Sequence, residues 1–203
     1  MGKRRRRDVT PQADKLFAVY LGGRAPKCNT ELHDVVFVTG KTINDTYEQL
    51  MDKWFGTPKG LHLDSWAELD VVDGYKVTLA ADQKEGGKNL YFVNLGAYKD
   101  NEFTEIHANA FLVADSVSEA KTRAKEKLLH GWTSPVHTDD LYEVDSCMVV
   151  GKVNHWRVVL TKTDAKENIN PVNGYHIIPK ALVEDYMKSR TVSEPMSYRE
   201  DYR

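Results

Sequence analysis

The stretch Thr30-Glu31-Leu32-His33 returns 74 positions later as Thr104-Glu105-Ile106-His107. The similarity extends around both stretches, because the segments 16–39 and 90–113 share eight identical residues in 24 aligned positions. Self-similarity at a fixed separation is the signature of a duplicated structural unit. The sequence therefore predicts that one small domain is used twice in this chain, as a first copy and a second copy.

Each copy has the same predicted order of elements. Apolar runs rich in β-branched and aromatic residues are typical of strands, and two of them open each copy. A segment with helical spacing follows, introduced by the possible capping boxes Thr42-x-x-Asp45 and Ser116-x-x-Glu119, and a further strand closes the copy. We therefore predict an α+β fold of two tandem ββαβ(β) repeats that pack with pseudo-twofold symmetry, with a mixed, mostly antiparallel sheet. The helix crossover predicts that the second and third strands of a copy are parallel.

Changes in composition divide the chain into five segments. The charged, polar N-terminal segment is predicted to be a disordered basic arm, and a polar, glycine-bearing segment is predicted to link the copies. The polar C-terminal segment is an extension with a short helix. The predicted boundaries are 1–14 for the arm, 15–80 for the first repeat, 81–88 for the linker, 89–161 for the second repeat and 162–203 for the extension.

Composition limits the class of protein. Hydrophobic residues make up 41% of the 203 residues, which suits a globular chain. No apolar run approaches the roughly 20 residues that span a bilayer, and no apolar region follows the basic N-terminus as in a secretory signal. The two cysteines, Cys28 and Cys147, occupy non-equivalent positions in the copies, which argues against a disulfide framework. We therefore expect a cytoplasmic protein with no membrane partner.

The charge of the chain is uneven. Five basic residues lie in the first seven positions, and the rest of the chain carries 30 acidic against 23 basic residues. An acidic body is a poor nucleic-acid surface, because binding requires phosphate charge to be neutralised. Only the arm suggests contact with nucleic acid or an acidic partner, and a solubilising tail is the simpler interpretation. The residues concerned are Lys3, Arg4, Arg5, Arg6 and Arg7.

Paired histidines and carboxylates recur in both copies. The first copy contains Glu31-x-His33 and His62-x-Asp64, and residues two apart in an extended segment point to one face. The second copy contains the equivalent pairs Glu105-x-His107 and His137-x-Asp139.

Three interpretations of these pairs stay open. They form a structural hydrogen-bond network, a divalent metal site, or a general base with its orienting carboxylate. The candidate catalytic residues are Glu31, His33, His62 and Asp64, and the candidate metal ligands are His33, His62 and Asp64.

The loop after the first strand offers further candidates for ligand binding. Two consecutive glycines permit close approach of a ligand to the backbone, a guanidinium can contact an anion, and an indole can stack on a ligand. A simple turn, an inert cysteine and a core tryptophan are the competing structural interpretations. The candidate ligand-binding residues are Gly22, Gly23, Arg24, Cys28, Asn29 and Trp66.

The same residues carry a resemblance to a known family. Leu16-Phe17-Ala18-Val19-Tyr20-Leu21-Gly22-Gly23, the run Cys28-Asn29-x-Glu31-Leu32-His33-Asp34, Leu61-His62-Leu63-Asp64-Ser65-Trp66 and Asp73-Gly74-Tyr75 resemble a bacterial family known as domain of unknown function 1543. The resemblance covers about 16–80 and extends to about 90–160 as a diverged second copy. It implies a bacterial cytoplasmic protein with one or two copies of the domain, and it implies no activity.

The sequence therefore leaves three functions open. The first is a small-ligand or protein-binding module, with a homodimer as one possible assembly. The second is a metal-assisted or His–carboxylate hydrolase-like enzyme that uses the first copy. The third is nucleic-acid contact through the basic arm.

Overall fold

The computed structural model describes residues 13–81, 87–98, 101, 103–129 and 144–191. Residues 1–12 of the predicted arm and 82–86 of the predicted linker lie outside this part of the chain, as do His137 and Asp139. Within the described ranges, no helix is long and apolar enough to cross a membrane.

The first copy folds into the predicted order of elements, with one additional short strand. Its strands are β1 (Lys15–Gly23), β2 (Leu32–Gly40), β3 (His62–Glu68), β4 (Val71–Val72) and β5 (Tyr75–Ala80). A 3-10 turn (Ile43–Thr46) leads into helix α1 (Tyr47–Lys53), which follows β2.

The second copy repeats this order. Its elements are β6 (Asn89–Tyr98), β7 (Glu105–Ala114), α2 (Val117–Leu129), β8 (Val144–Val149), β9 (Lys152–Val153) and β10 (Trp156–Lys162). The extension adds strand β11 (Val172–Ile177) and helix α3 (Lys180–Thr191).

The two helices that were expected to carry capping boxes begin differently. In the second copy the Ser116 hydroxyl accepts a hydrogen bond from the Glu119 amide at 3.2 Å, and the Glu119 carboxylate accepts one from the Asp115 amide at 2.9 Å. In the first copy Thr46 is the N-cap of α1, and it makes no side-chain capping bond. Thr42, the equivalent of Ser116, lies directly before the 3-10 turn that leads into α1.

By its contacts the described chain divides into two compact units that do not follow the copies. The four-strand unit contains residues 17–38, 43–67 and the described part of 170–203. The two-sheet unit contains the other described residues, including all of the second copy and the first-copy segment 68–80. The predicted repeat and linker boundaries stay a prediction.

The four-strand unit is built on a sheet with the strand order β11-β3-β1-β2. Apolar side chains of β1 and β3, such as Val19, Leu21 and Leu63, are buried against helix α1 and the start of α3. Burial of such side chains stabilises the fold by about 1.5–3 kcal/mol each relative to exposure. The strand β11 lies at the edge of this sheet, next to β3.

The two-sheet unit contains one sheet with the order β7-β6-β8 and another with the order β4-β5-β10-β9. Both β7 and β8 pair antiparallel with β6, so they run in the same direction on either side of it. The expected parallel orientation of the second and third strands is therefore found in this copy, but the first strand separates them. Helix α2 covers this sheet through the fully buried Ala120 and Ala124.

The second sheet joins equivalent hairpins of the two copies. The hairpin β4–β5 belongs to the first copy and β9–β10 to the second, and β5 pairs antiparallel with β10 over six residue pairs.

Each hairpin tip also reaches the second strand of the other copy. Asp73 accepts a hydrogen bond from the Val113 amide at 2.9 Å, and Asn154 donates one to the Thr39 hydroxyl at 3.3 Å. Asp73 also forms an ion pair with Arg123 of α2, with two contacts of 2.8 Å. The hairpins therefore connect the copies inside the two-sheet unit.

The predicted fold class is confirmed. The chain has a mixed α+β architecture with few helices and mostly antiparallel sheets. Packing about a pseudo-twofold axis stays a prediction.

Candidate functional site

Four side chains predicted to carry chemistry meet in the four-strand unit. Glu31 lies directly before β2, and His33 is the second residue of that strand. His62 opens β3, and Asp64 follows two positions later. Extended backbone presents residues two apart on one face, so each pair brings its imidazole and its carboxylate to one place. We call these four residues the His–carboxylate cluster.

The atoms of the cluster form a closed ring of contacts. Nε2 of His33 lies 3.4 Å from Oε1 of Glu31 and 3.2 Å from Oδ2 of Asp64. Nε2 of His62 lies 3.5 Å from Oε1 of Glu31 and 3.3 Å from Oδ1 of Asp64. Each imidazole nitrogen therefore faces both carboxylates. In the described part of the chain, Glu31, His62 and Asp64 form the one group of three whose ligand atoms lie close enough to share a metal ion, within 4.8 Å of one another.

His62 is the buried member of the cluster, with 1% of its side chain exposed. Its Nδ1 lies 2.9 Å from the Gly60 carbonyl oxygen. A carbonyl oxygen only accepts, so Nδ1 carries the proton and, in the neutral ring, Nε2 keeps its lone pair. Nε2 of His62 and Oδ2 of Asp64 are both buried and have no hydrogen-bond partner. An unsatisfied buried polar atom costs about 1–3 kcal/mol, and a ligand that contacts these two atoms would remove that cost.

Gly22, at the end of β1, leaves open space beside these two atoms. A Cβ added there would lie 2.5 Å from Nε2 of His62 and 2.5 Å from Oδ2 of Asp64. The φ of Gly22 lies outside the left-handed region, so any residue could adopt this backbone conformation. Glycine is required here because a larger side chain would not fit. A small ligand atom at the position of this missing Cβ could contact both Nε2 of His62 and Oδ2 of Asp64.

Two tyrosines flank the cluster. Tyr20 stacks on His33 with ring centroids 5.3 Å apart, and Tyr175 of β11 packs on His62 at 4.1 Å. Burial raises the pKa of Tyr20, and the negative charges of Asp64 and Asp34 raise it further. The Tyr20 phenol therefore stays protonated and neutral beside the cluster at neutral pH.

The other candidates lie elsewhere. Gly23 faces the indole of Trp54, and the backbone carbonyl of Arg24 accepts a hydrogen bond from the Thr57 amide at 2.8 Å. The sulfur of Cys28 accepts a hydrogen bond from the Ala25 amide at 3.3 Å. Trp66 packs edge-on against Phe17 and the core. Asn29 is exposed. Of the predicted ligand-binding residues, only Gly22 is therefore brought to the cluster.

Sequence reasoning missed both flanking tyrosines and the Gly60 carbonyl. Tyr20 falls within the predicted first strand, and the alternation of side chains along that strand places it on the same side as Gly22. That alternation was the signal that could have identified it. Tyr175 lies in the extension, outside both copies, so the duplication gave no signal for it. The Gly60 carbonyl is a backbone group, and residue type carries no information about its role.

The family model for Domain of Unknown Function (DUF1543) matches residues 28–79 and 102–158, more than half of the chain. The chain belongs to the DUF1543 family. The two matched segments correspond to two tandem copies of the domain, as the internal repeat predicted. The DUF1543 match begins just before the first Glu-x-His pair and includes the whole His–carboxylate cluster.

One solved structure similar to this DUF1543 chain is the crystal structure of a protein Il1583 from Idiomarina loihiensis. It is 36% identical in sequence and has a TM-score of 0.64, and the match covers 82% of this chain and 99% of that one. Among curated proteins, none matches this chain. The similarity therefore supports the family and the fold, and it carries no activity.

Proposed function

We propose that this protein is a small-ligand-binding module whose first copy binds one divalent transition-metal ion. The ligands are His62, Asp64 and Glu31, whose ligand atoms lie within 4.8 Å of one another, and His33 contacts the same two carboxylates without belonging to that group. The observation that carries the proposal is Nε2 of His62, which is buried, faces both carboxylates and has no hydrogen-bond partner, while Nδ1 is bound to the Gly60 carbonyl oxygen.

The spacing of the ligand atoms supports the proposal. Zinc binds imidazole nitrogen and carboxylate oxygen at about 2.1 Å in tetrahedral sites, which places neighbouring ligand atoms about 3.4 Å apart. Nε2 of His62 lies 3.5 Å from Oε1 of Glu31 and 3.3 Å from Oδ1 of Asp64, which is close to this spacing. His62 makes both of its contacts without hydrogen-bond geometry, which is expected when lone pairs point to a shared centre rather than to each other.

The donor set also suits a cation of this class. One imidazole and two carboxylates are ligands that zinc, manganese and ferrous iron all accept, and three protein ligands leave a position open for a small ligand. Two carboxylates balance the charge of a divalent ion. The Gly60 carbonyl fixes the tautomer of His62, as second-sphere partners do for metal-binding histidines.

A structural hydrogen-bond network is the competing interpretation, and metal content distinguishes the two. Protein purified without a metal-affinity tag is dialysed against zinc, manganese or ferrous iron, and bound metal is measured by mass spectrometry. We expect near-stoichiometric metal in the wild type, its loss in His62→Ala, and a lower content in His33→Ala, because the His33 imidazole contacts both carboxylate ligands. His155→Ala is the matched control, because His155 is exposed and packs on Trp156. No retained metal in the wild type under any of the three conditions would refute the proposal.

Metal-assisted hydrolysis is the second candidate function. It is favoured by the exposure of Glu31 and His33, whose side chains are 42% and 38% exposed, because a cation held there would remain accessible to water and substrate. A bound divalent ion lowers the pKa of its water and so generates a nucleophile at neutral pH. The test is turnover of p-nitrophenyl esters and phosphates by metal-loaded protein. Activity that is equal in wild type and His62→Ala would exclude this role.

We further propose that the protein works in the bacterial cytoplasm, with a protein partner or a second copy of the chain as possible partners. Cys28 and Cys147 are both free thiols, as is usual in a reducing compartment. Nucleic-acid contact through Lys3 to Arg7 is tested by deletion of residues 1–14. Unchanged affinity for RNA and DNA would remove that role.

A further inference from the structure

The strand β11 places two exposed apolar side chains beside the His–carboxylate cluster. Tyr175 is 65% exposed and Ile177 is 66% exposed. Ile177 is the direct cross-strand partner of His62, and the Tyr175 ring packs on the His62 imidazole. Directly opposed residues of neighbouring strands present their side chains on the same face of a sheet. Both apolar side chains therefore adjoin the cluster on one side.

This arrangement differs from ordinary surface exposure. Single exposed apolar residues are normal, whereas adjoining ones next to a polar centre mark binding sites. Tyr175 already packs on one side chain of the cluster and still leaves most of its own surface to solvent. The C-terminal extension thus places two apolar side chains beside the His–carboxylate cluster, which belongs to the first copy.

We infer that the natural ligand of this site is a small monoanionic chelator with a flat apolar body, whose head completes the coordination of the cation and whose body lies on Tyr175 and Ile177. This inference rests on the proposed metal site. A divalent ion balanced by Glu31 and Asp64 leaves no excess positive charge, so a singly charged carboxylate or hydroxamate head suits it better than a doubly charged phosphate. Aromatic side chains favour a planar partner in stacked or edge-on contact.

The experiment compares two chelators that share a head and differ only in the body. Benzohydroxamate and acetohydroxamate are titrated into zinc-loaded protein by isothermal calorimetry. We expect benzohydroxamate to bind about tenfold more tightly to the wild type, the ratio that corresponds to about 1.4 kcal/mol. Tyr175→Ala should reduce this ratio to near unity and leave the zinc content unchanged, whereas Tyr175→Phe should preserve it.

The matched control is Tyr98→Ala, which removes another exposed tyrosine, in β6 of the second copy. It should change neither affinity. Equal binding of the two hydroxamates to zinc-loaded wild type would overturn the inference and leave the metal site standing. Absence of zinc in the wild type would overturn both together. A preference that survives in Tyr175→Ala would show that the body does not lie on the Tyr175 ring, and would also overturn the inference.

Discussion

The two copies carry the same Glu-x-His pair in different surroundings. In the first copy His33 faces the carboxylates of Glu31 and Asp64, whereas in the second Nε2 of His107 lies 3.5 Å from Oε2 of Glu105. The partner pair of the second copy, His137 and Asp139, lies outside the described residues.

The residues around the two pairs also differ. Tyr20, which stacks on His33, is replaced by Asn94, whose amide donates to Asn109. Within the described residues, β11 joins the first-copy sheet, and the sheet of β7, β6 and β8 has no such fourth strand. Within the described residues, the side chains and strands that adjoin the repeated Glu-x-His pair therefore differ between the copies.

The largest expected difference between the copies concerns their equivalent glycines. Gly22→Ala should abolish metal binding, because the new Cβ would lie 2.5 Å from Nε2 of His62 and from Oδ2 of Asp64. Gly96→Ala, at the matching position of the second copy, should leave the first-copy metal in place. Metal content by mass spectrometry checks both, with circular dichroism to confirm folding. A folded Gly22→Ala protein with full metal content would place the ion elsewhere.

The equivalent hairpin tips provide the next comparison. Asp73 and Asn154 both have a positive φ, of 52° and 55°, so glycine is a compatible replacement for either. Asp73→Gly should lower the free energy of unfolding by about 2–3 kcal/mol, because it removes charge-assisted hydrogen bonds to Arg123 and the bond from the Val113 amide. Urea denaturation with a linear extrapolation measures this change.

Asn154→Gly should cost less, about 1 kcal/mol, because its bond to the Thr39 hydroxyl joins two neutral groups. The same denaturation experiment applies. Equal losses for the two tips would mean that the ion pair with Arg123 contributes nothing beyond a neutral hydrogen bond.

The smallest expected effect belongs to His107→Ala. The His107 side chain is 44% exposed, and surface substitutions away from special features usually stay within about 0.5 kcal/mol. Both the free energy of unfolding and the metal content should therefore remain close to wild type. A fall of the metal content to half would instead reveal a second site, in which His137 and Asp139 would be the first residues to test.

Much of this site could be predicted from sequence because its chemistry lies in short patterns. The spacing of two in Glu31-x-His33 and His62-x-Asp64 placed each pair on one face, and the duplication identified the pairs as features of one domain. That the pairs face each other depends on sheet order, in which β1 lies between β2 and β3. No local pattern encodes that order.

Other features depended on contacts between distant residues. The Tyr175–His62 contact joins the extension to the first copy. The sequence suggested Trp66 as the aromatic residue that stacks on a ligand, yet its ring packs on Phe17. Long-range contacts of this kind leave no periodic signal.

The paired hairpins have a consequence for the connectivity of the chain. The first-copy strand β5 continues into a sheet with β10, and each hairpin tip hydrogen-bonds to the other copy. The six-pair ladder between β5 and β10 therefore joins the copies independently of the covalent connection between them. If residues 81–88 are the predicted linker, two polypeptides cut within that segment should reassemble when mixed, because the connection serves only to raise the local concentration of one copy near the other.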